Sequence, residues 1–492
     1  MCIRDRFLTS LESPLNKGGS EGVWKYRWLL IFFNCIKTIG KMSNNLIRKP
    51  KVSVGQENPY NRLGFVQNPF PVNPSVVPYS DDIRVNGSIF LESIRQEEIK
   101  AFHEHIVNSP NQIGLMMDYA AYKGRGIGKT AFLNYMKKSI NKDLGDEISD
   151  GKSVIYAVYV APSADNRNRT LSQVAHSIFT SMHKEGLFLT VFCRLRALSG
   201  LLDDVIDETI TENNYEETIA NDAWLCDKGI DVSAVNSFVS KELVKAGLVD
   251  EDVSLFSGTY SRFTEALSIN PSEFFWKREG LFFLFEKVEK LLKAAMFTNC
   301  IILLDEAEKM IQYQNFNERR AFCENLRTYF IDGNNSNAID GFFKILLTIH
   351  PNSQELLMPH WAAAGLDRFC SLGGNTSSEN TIFFKPMSNE PNMIRALAEI
   401  YLKASRINKT DSSISPFTQE AIDYAMEKSA FIPGRFLKYL YILIEKSIKN
   451  NWTEIDKKQV EITLDEGTNY LALEKPVENA SIEELPPTKV QL

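Results

Sequence analysis

The sequence lacks the cysteine and histidine patterns that hold structural metal ions or disulfide frameworks. Its 492 residues include seven cysteines and six histidines, with no C-x-x-C pair and no cysteine–histidine cluster at zinc spacing. Scattered cysteines of this kind are typical of proteins in a reducing compartment. We therefore expect a cytoplasmic protein without a structural metal.

An excess of positive charge is also missing. The formal net charge is −7 at pH 7, and the sequence pI is about 5.6. Proteins that wrap nucleic acid usually carry a basic patch or a high pI, because they neutralise phosphates. The composition therefore does not favour nucleic acid as a partner, although a local basic face would still allow it.

The apolar run near the N-terminus, WLLIFFNCI at residues 28–36, is too short for a membrane span. A helix needs about 20 apolar residues to cross a bilayer. A secretory signal is not indicated either, because a long polar stretch precedes the run and no small-residue cleavage site follows it. We expect no membrane partner and interpret residues 1–41 as a non-native extension before Met42, with a membrane anchor as the alternative.

A chain of 492 residues exceeds what one hydrophobic core usually holds, so two or three compact units are expected. Residues 42–88 are rich in Pro and Asn and lack periodicity, which predicts an extended arm on a domain surface. We predict an α/β domain at 89–385, a helical domain at 386–470 and a disordered tail at 471–492. The interval 162–299 is far longer than one strand crossover needs, which predicts an inserted helical unit.

Short apolar runs predict the strands of the α/β domain. These runs are Ile113–Met117, Val154–Val160, Ile301–Leu304, Phe342–Ile349 and Thr381–Phe384. Because helical segments separate them, the strands are expected to be parallel, with helices covering both faces of the sheet. The predicted fold class is therefore α/β, a three-layer sandwich around a parallel five-stranded sheet.

Within the predicted insertion, residues 201–222 carry eight acidic residues and no basic residue. Such a run usually forms a solvated, partly disordered helical face. A docking surface for a basic partner is the alternative.

The segment AYKGRGIGKT, residues 121–130, predicts a phosphate-binding loop. It fits the pattern G-x-x-x-x-G-K-[ST] except that Lys123 stands at the first glycine position, where Gly124 one place later can supply the flexibility. Backbone N–H groups of such a loop and the start of the next helix bind phosphate. In this pattern Lys129 would reach the β and γ phosphates and Thr130 would offer its hydroxyl to Mg²⁺. The predicted loop consists of Gly124, Arg125, Gly126, Ile127, Gly128, Lys129, Thr130 and Ala131.

A second motif, IILLDEAEK, ends an apolar strand in two acids. Ligands of parallel sheets bind at the carboxyl ends of the strands, so Asp305 is predicted to hold Mg²⁺ through water opposite Thr130. Glu306 is then placed to orient and deprotonate a water molecule that attacks the γ phosphate. A helix cap with a solvated charge is the alternative for this pair. We interpret Glu308 and Lys309 as surface charges.

Together, KGRGIGKT and ILLDEAEK resemble the Walker A and Walker B motifs of AAA+ ATPases. The resemblance is to the broad group that includes archaeal origin-recognition initiators and signalling STAND ATPases, and it extends over about residues 90–460. It implies a P-loop NTPase fold in which the helical domain at 386–470 is a lid. It also implies ATP and Mg²⁺ as cofactors and ATP hydrolysis as the activity.

Three weaker matches follow in the order expected for this family. Thr348 resembles the sensor 1 residue, which contacts the γ phosphate or the attacking water, with His350 and Asn352 as alternatives. Arg368 stands where the family often keeps an arginine finger for a neighbouring subunit, which implies a homo-oligomer; a surface salt bridge is the alternative. Arg435, in FIPGRFLKYL, resembles the sensor 2 arginine of the lid, because Pro and Gly before it start a new helix.

The implied function is an ATPase that couples its nucleotide state to the remodelling of a protein or nucleoprotein complex, with an unidentified protein partner. The alternative is a switch that binds ATP and rarely cleaves it, with the insertion as an interaction platform. DNA loading usually requires a winged-helix domain after the lid, and residues 450–492 are too few to form one. An accessory role in transposition or defence stays open.

Overall fold

The computed structural model describes eleven stretches of the chain, all of them within residues 58–466. They are residues 58–118, 126–142, 154–162, 169–206, 209–211, 213–268, 279–333, 335–372, 380–384, 391–410 and 413–466. The predicted extension at 1–41, the first part of the arm and the predicted tail at 471–492 lie outside these residues.

The strands form one sheet, and helices precede, separate and follow them. The strands are β1 (Ile113–Asp118), β2 (Val154–Val160), β3 (Phe297–Leu304), β4 (Phe343–Ile349) and β5 (Thr381–Phe384). The α-helices are α1 (Gln96–Phe102), α2 (Lys129–Asn141), α3 (Leu171–Lys184), α4 (Leu187–Ala197), α5 (Asp222–Asp227), α6 (Val232–Lys245), α7 (Asp250–Phe256), α8 (Tyr260–Ala266), α9 (Glu279–Phe282), α10 (Glu289–Ala294), α11 (Glu308–Ile311), α12 (Phe316–Phe330), α13 (Ser336–Asp340), α14 (Pro351–Ala363), α15 (Pro391–Ser405), α16 (Gln419–Lys428), α17 (Pro433–Asn450) and α18 (Lys457–Glu466). In the part of the chain that the structure describes, no helix is both long and apolar enough to span a membrane.

The sheet is parallel, and its strand order is β2-β3-β4-β1-β5. The chain therefore leaves β1 near one side of the sheet and crosses by way of α2 to β2 at the opposite edge. Because all strands run the same way, the loops that follow β1, β3 and β4 come together at one end. The predicted α/β fold class, a three-layer sandwich around a parallel five-stranded sheet, is confirmed.

Alternate side chains of the strands point to opposite faces of the sheet, which makes the three layers. Side chains on one face, including Met116, Tyr159 and Leu303, pack with α1 and α2. Those on the other face, including Leu115 and Leu304, pack with the helices between β2 and β3 and with α12 and α14. Both faces of the sheet are therefore buried, as expected for parallel strands.

The chain between β2 and β3 is the predicted helical insertion. Its described residues contain α3 to α10 and no strand. The described part of the acidic stretch at 201–222 forms turns, not a helix, up to the start of α5. Arg196, 1% exposed, anchors the end of this stretch by donating to the carbonyl oxygen of Ile219 at 3.0 Å and to Asp222 Oδ1 at 2.6 Å. Docking of a basic partner on the acidic stretch stays a prediction.

Helices α15 to α18, which we call the lid, have a hydrophobic core of their own that includes part of the N-terminal arm. Phe65 and Phe70 of the arm are fully buried in it. The hydroxyl of Tyr60 donates to Glu445 Oε1 in α17 at 2.6 Å. The arm was expected to lie on a surface, because isolated aromatic residues in a Pro- and Asn-rich stretch give no periodic signal. In the structure these aromatic side chains complete the lid core.

Replacing Phe70 by alanine should destabilise the lid, because the ring is fully buried against Tyr401 and Phe417. The expected loss is about 3–5 kcal/mol in the free energy of unfolding. Urea unfolding followed by tryptophan fluorescence measures it. Val72→Ala is the matched control, since Val72 lies two residues further along the arm and is 65% exposed. It should cost less than about 0.5 kcal/mol, and equal effects of the two substitutions would contradict the place of the arm in the lid core.

Candidate functional site

The loop between β1 and α2 ends in two glycines with left-handed backbone. Gly126 has a φ of 92° and Gly128 a φ of 99°, a conformation that residues with a Cβ rarely adopt. Gly128 is the N-cap of α2, so Lys129 and Thr130 are the first two residues of the helix. Their N–H groups belong to the positive end of the helix dipole, where anions bind. This end of α2 can therefore bind phosphate.

The structure describes the predicted phosphate loop in part. Gly124 and Arg125 lie outside the described residues. Ile127 is 5% exposed and packs in the core under α1 and α2, and Ala131 is half-buried in the first turn of α2. The role of these four residues in phosphate binding stays a prediction.

Arg95 supports the loop from the sheet side. Its guanidinium is 4% exposed and donates to the carbonyl oxygen of Ile127 at 2.8 Å and to Glu98 Oε1 at 2.9 Å. It also lies 3.9 Å from the centroid of the Phe384 ring. Burial lowers the pKa of Arg95, and the charge of Glu98 opposes this shift. Arg95 could not be predicted as part of the site, because an arginine just before a helix gives the same sequence pattern as an exposed charge.

The carboxylate of Asp305 is the centre of the site. It is 1% exposed and follows the last residue of β3. Its Oδ2 accepts hydrogen bonds from Thr130 Oγ1 at 2.6 Å and Tyr159 Oη at 2.9 Å. Its Oδ1 accepts from Thr348 Oγ1 at 2.9 Å and from the N–H of Glu306 at 2.9 Å. The structure therefore brings together two predicted metal ligands that are 175 residues apart in the chain; metal binding by them stays a prediction.

Glu306 has an unusual backbone conformation. Its φ is 51°, in the left-handed region that a residue with a Cβ adopts at a cost of about 1–3 kcal/mol. The conformation is held because its N–H also donates to Thr348 Oγ1 at 2.7 Å. Its side chain is half-exposed and forms an ion pair with Lys309. Strained backbone conformations cluster at functional sites, which supports a functional role for Glu306.

Glu308 differs from its interpretation as a surface charge, whereas the side chain of Lys309 is 39% exposed, as that interpretation expects. Glu308 is half-buried, and burial raises its pKa. The positive charge of Lys129 lowers this pKa, whereas Asp305 raises it, so Glu308 lies within the electrostatic reach of both motifs. Lys309 is paired with Glu306. Both residues therefore lie at the site. Their positions three and four residues after Asp305, on a short helix, are the only feature of the sequence that could have indicated this.

Thr348 links β4 to the two acids at the end of β3. It is 1% exposed, and its hydroxyl is engaged with Asp305 and with the N–H of Glu306. This favours a role in positioning the acids; contact with a phosphate or a water stays a prediction. Its alternative His350 is half-buried at the end of β4, where its carbonyl oxygen accepts hydrogen bonds from the first turn of α14. The side chain of Asn352 lies outside the part of the chain that the structure describes.

The lid reaches the site through a contact between two glycines. The N–H of Gly434, in the first turn of α17, donates to the carbonyl oxygen of Gly126 at 3.0 Å. A Cβ on Gly434 would lie 3.3 Å from both the Cα and the carbonyl oxygen of Gly126. Ala430 and Phe431, just before α17, have left-handed φ values of 54° and 59°. This strained turn brings the start of α17 directly against the phosphate loop.

The two predicted arginines lie in different parts of the fold. Arg435 follows the glycine contact in the first turn of α17 and is exposed. Arg368 ends the 3-10 helix Leu366–Arg368, between α14 and β5, and is exposed. The position of Arg435 beside the loop is compatible with the sensor 2 prediction. Both roles stay predictions.

The oxygen atoms at this end of the sheet fit a magnesium ion that is held together with phosphate. The hydroxyl of Thr130 and the carboxylate of Asp305 are hard oxygen donors in contact with each other. Mg²⁺ is usually held by one or two carboxylates plus substrate phosphates, and not by a full set of protein ligands. The described stretches contain no cluster of three or more His, Cys, Asp or Glu residues that can hold a metal ion.

The similarity of this chain to known proteins is weak. No protein-family model matches the sequence, and no curated protein matches it. Among solved structures, the chain is similar to the Orc1 protein of Aeropyrum pernix, solved in complex with DNA. The match covers 77% of this chain and 67% of that chain, with 12% sequence identity and a TM-score of 0.36. A similarity at this level carries no argument about the site or its ligands.

Replacing Thr348 by valine should destabilise the protein, because Asp305 Oδ1 loses one of its two donors and the Glu306 N–H loses an acceptor. A hydrogen bond to a charged group contributes about 1.5–3 kcal/mol, and that is the expected loss in the free energy of unfolding. Thr348→Ser is the matched control, because it keeps the hydroxyl and loses one methyl group, at about 0.8 kcal/mol. Chemical unfolding of both variants tests this. A serine variant as unstable as the valine variant would show that the hydroxyl does not hold the acids.

Proposed function

We propose that this protein binds ATP with Mg²⁺ at the end of the sheet where α2, β3 and β4 meet, and that it hydrolyses the bound ATP. The products are ADP and inorganic phosphate. The nucleotide state would change the contact between the lid and the phosphate loop, and this change would remodel a protein or nucleoprotein complex. The partner is an unidentified protein, and assembly into a homo-oligomer is part of the proposal.

The observation that carries the proposal is the hydrogen bond of 2.6 Å from Thr130 to Asp305. It joins the first turn of the helix after a glycine loop to the acid at the end of a parallel strand two places away from β1 in the sheet. Phosphate and its metal ion need this combination, because N–H groups at a helix start bind the anion and hard oxygen donors bind the cation. A surface Gly-Lys turn would not require a buried carboxylate two strands away.

The charged residues of the site have separate tasks in this proposal. Lys129 would bind the β and γ phosphates from the first position of α2. Mg²⁺, held by Thr130 and, through water, by Asp305, would neutralise phosphate charge. Glu306 would accept a proton from the water molecule whose oxygen attacks the γ phosphorus, while the bond from that phosphorus to the β–γ bridging oxygen breaks. Arg435 would contact the γ phosphate from the lid.

A slower activity is the second candidate, and one contact favours it. Lys309 forms an ion pair with the carboxylate of Glu306. A carboxylate oxygen that accepts a hydrogen bond from an ammonium group is less available to a water molecule. The protein would then be a switch that holds ATP and rarely cleaves it. Turnover by the wild-type protein distinguishes the two functions.

Replacing Lys129 by alanine should lower the affinity for ATP by about 10- to 100-fold, because a charged hydrogen bond to phosphate contributes about 1.5–3 kcal/mol. Glu306→Gln should keep the affinity and lower the rate of phosphate release by about 10²- to 10⁴-fold, because the general base is lost. Calorimetry and a phosphate-release assay measure these quantities. Lys142→Ala is the matched control, since Lys142 is exposed just after the other end of α2.

Two results would decide against parts of this proposal. If the wild-type protein bound ATP but released no more phosphate than Glu306→Gln, hydrolysis would be wrong and the switch would remain. If the wild-type protein bound no adenine nucleotide, both functions would be wrong.

Replacing Gly434 by alanine should weaken ATP binding, because the new Cβ would press on backbone atoms of Gly126 at 3.3 Å. Overpacking of this kind costs about 1–3 kcal/mol, so the expected loss of affinity is about 5- to 100-fold. The matched control is Gly229→Ala in the insertion, where φ is 80° and no atom lies within 4 Å of the added Cβ. Both variants should lose stability, but only Gly434→Ala should lose affinity in an ATP titration. Equal affinities would argue against coupling between the lid and the loop.

A further inference from the structure

Tyr159 lies beside the candidate metal ligand without being part of either sequence motif. It is the second-last residue of β2, which is the strand next to β3. It is 4% exposed, and its hydroxyl donates to Asp305 Oδ2 at 2.9 Å. The hydroxyl is therefore a hydrogen-bond donor to the carboxylate.

We propose that Tyr159 is a positioning residue for magnesium binding: its hydroxyl fixes Asp305 Oδ2 in the orientation that the metal site requires. This inference rests on the proposed function, because it concerns the same site. It adds a residue from a third strand that neither motif contains. Tyr159 acts through Asp305 and does not itself contact metal or nucleotide.

Hydrogen-bond donors surround the carboxylate of Asp305 on both sides. Four donors contact the carboxylate, two on each oxygen. Tyr159 approaches from β2 and Thr348 from β4, which are the two strands on either side of β3. Each of them binds a different carboxylate oxygen. The plane of the carboxylate is thereby fixed from both sides.

The hydroxyl and the ring of Tyr159 have separate roles: the hydroxyl contacts Asp305, and the ring packs in the core. The ring of Tyr159 belongs to the core under α1 and α2, where a phenylalanine would fill the same space. Partners behind a metal ligand orient it, and their loss typically lowers metal affinity by about 10- to 100-fold. Tyr159→Phe therefore removes the positioning contact and keeps the packing.

The same strand offers a matched control. Tyr156 is three residues earlier in β2, is also 4% exposed, and also donates to a carboxylate, Glu185 Oε2, at 2.7 Å. Its ring lies on the opposite face of the sheet, in the core with the insertion helices. Tyr156→Phe thus removes a comparable buried hydroxyl away from the site.

The experiment is an equilibrium titration with a fluorescent ADP, once with Mg²⁺ and once with EDTA, on four proteins: wild type, Tyr159→Phe, Tyr156→Phe and Lys129→Ala. For each protein, the ratio of the two dissociation constants measures the gain in affinity that Mg²⁺ provides. In Tyr159→Phe, the gain in affinity from Mg²⁺ should be about ten-fold smaller than in the wild type, and the affinity in EDTA should be unchanged. Tyr156→Phe should keep both values of the wild type.

The outcomes separate the inference from the function on which it rests. An unchanged Mg²⁺ gain in Tyr159→Phe, or an equal loss in Tyr156→Phe, would overturn the role of Tyr159 while leaving the ATP site intact. A loss of affinity that is the same with and without Mg²⁺ would also overturn it. A wild-type protein that binds ADP no better than Lys129→Ala does would instead overturn the proposed function.

Discussion

The buried charge of Asp305 constrains the rest of the structure. A carboxylate that is 1% exposed is costly unless hydrogen bonds replace its lost water. Its side-chain donors come from three separate elements: Thr130 from α2, Tyr159 from β2 and Thr348 from β4. These elements meet only because β2 and β4 flank β3 and because α2 begins at the same end of the sheet. The strand order and the charge therefore depend on each other, and a displaced strand would leave the carboxylate short of donors.

The phosphate loop and the lid are joined by more than one route. The direct route is the contact of Gly126 with Gly434. The second route is the arm, which contributes Phe65 to the lid core. Just after the arm, Phe90 stacks on Tyr135 of α2, with ring centroids 4.3 Å apart. Since α2 starts at the loop, the arm connects the lid core to the same helix. Coupling between a ligand and the lid needs such a physical connection.

The sequence predicted local features better than it predicted contacts between strands. Strand positions and the meeting of Thr130 with Asp305 could be predicted, because apolar runs and the two motifs are local patterns. Tyr159 could not, because its role depends on which strand lies beside β3 and in which register. Arg95 was missed for a similar reason: its partner is a backbone carbonyl of the loop, 32 residues away. Glu308 was misjudged because burial of a short helix cannot be seen in the residues themselves.

The charges at this end of the sheet explain why the lid belongs to the site. Lys129 and Lys309 provide two positive charges. The carboxyl groups of Asp305, Glu306 and Glu308 lie near them. In the proposed function, a metal ion would offset part of the negative charge that a triphosphate brings next to these carboxyl groups. In the proposed function, the N-terminus of α17, packed directly on the phosphate loop, would offer a second positive end to the bound anion.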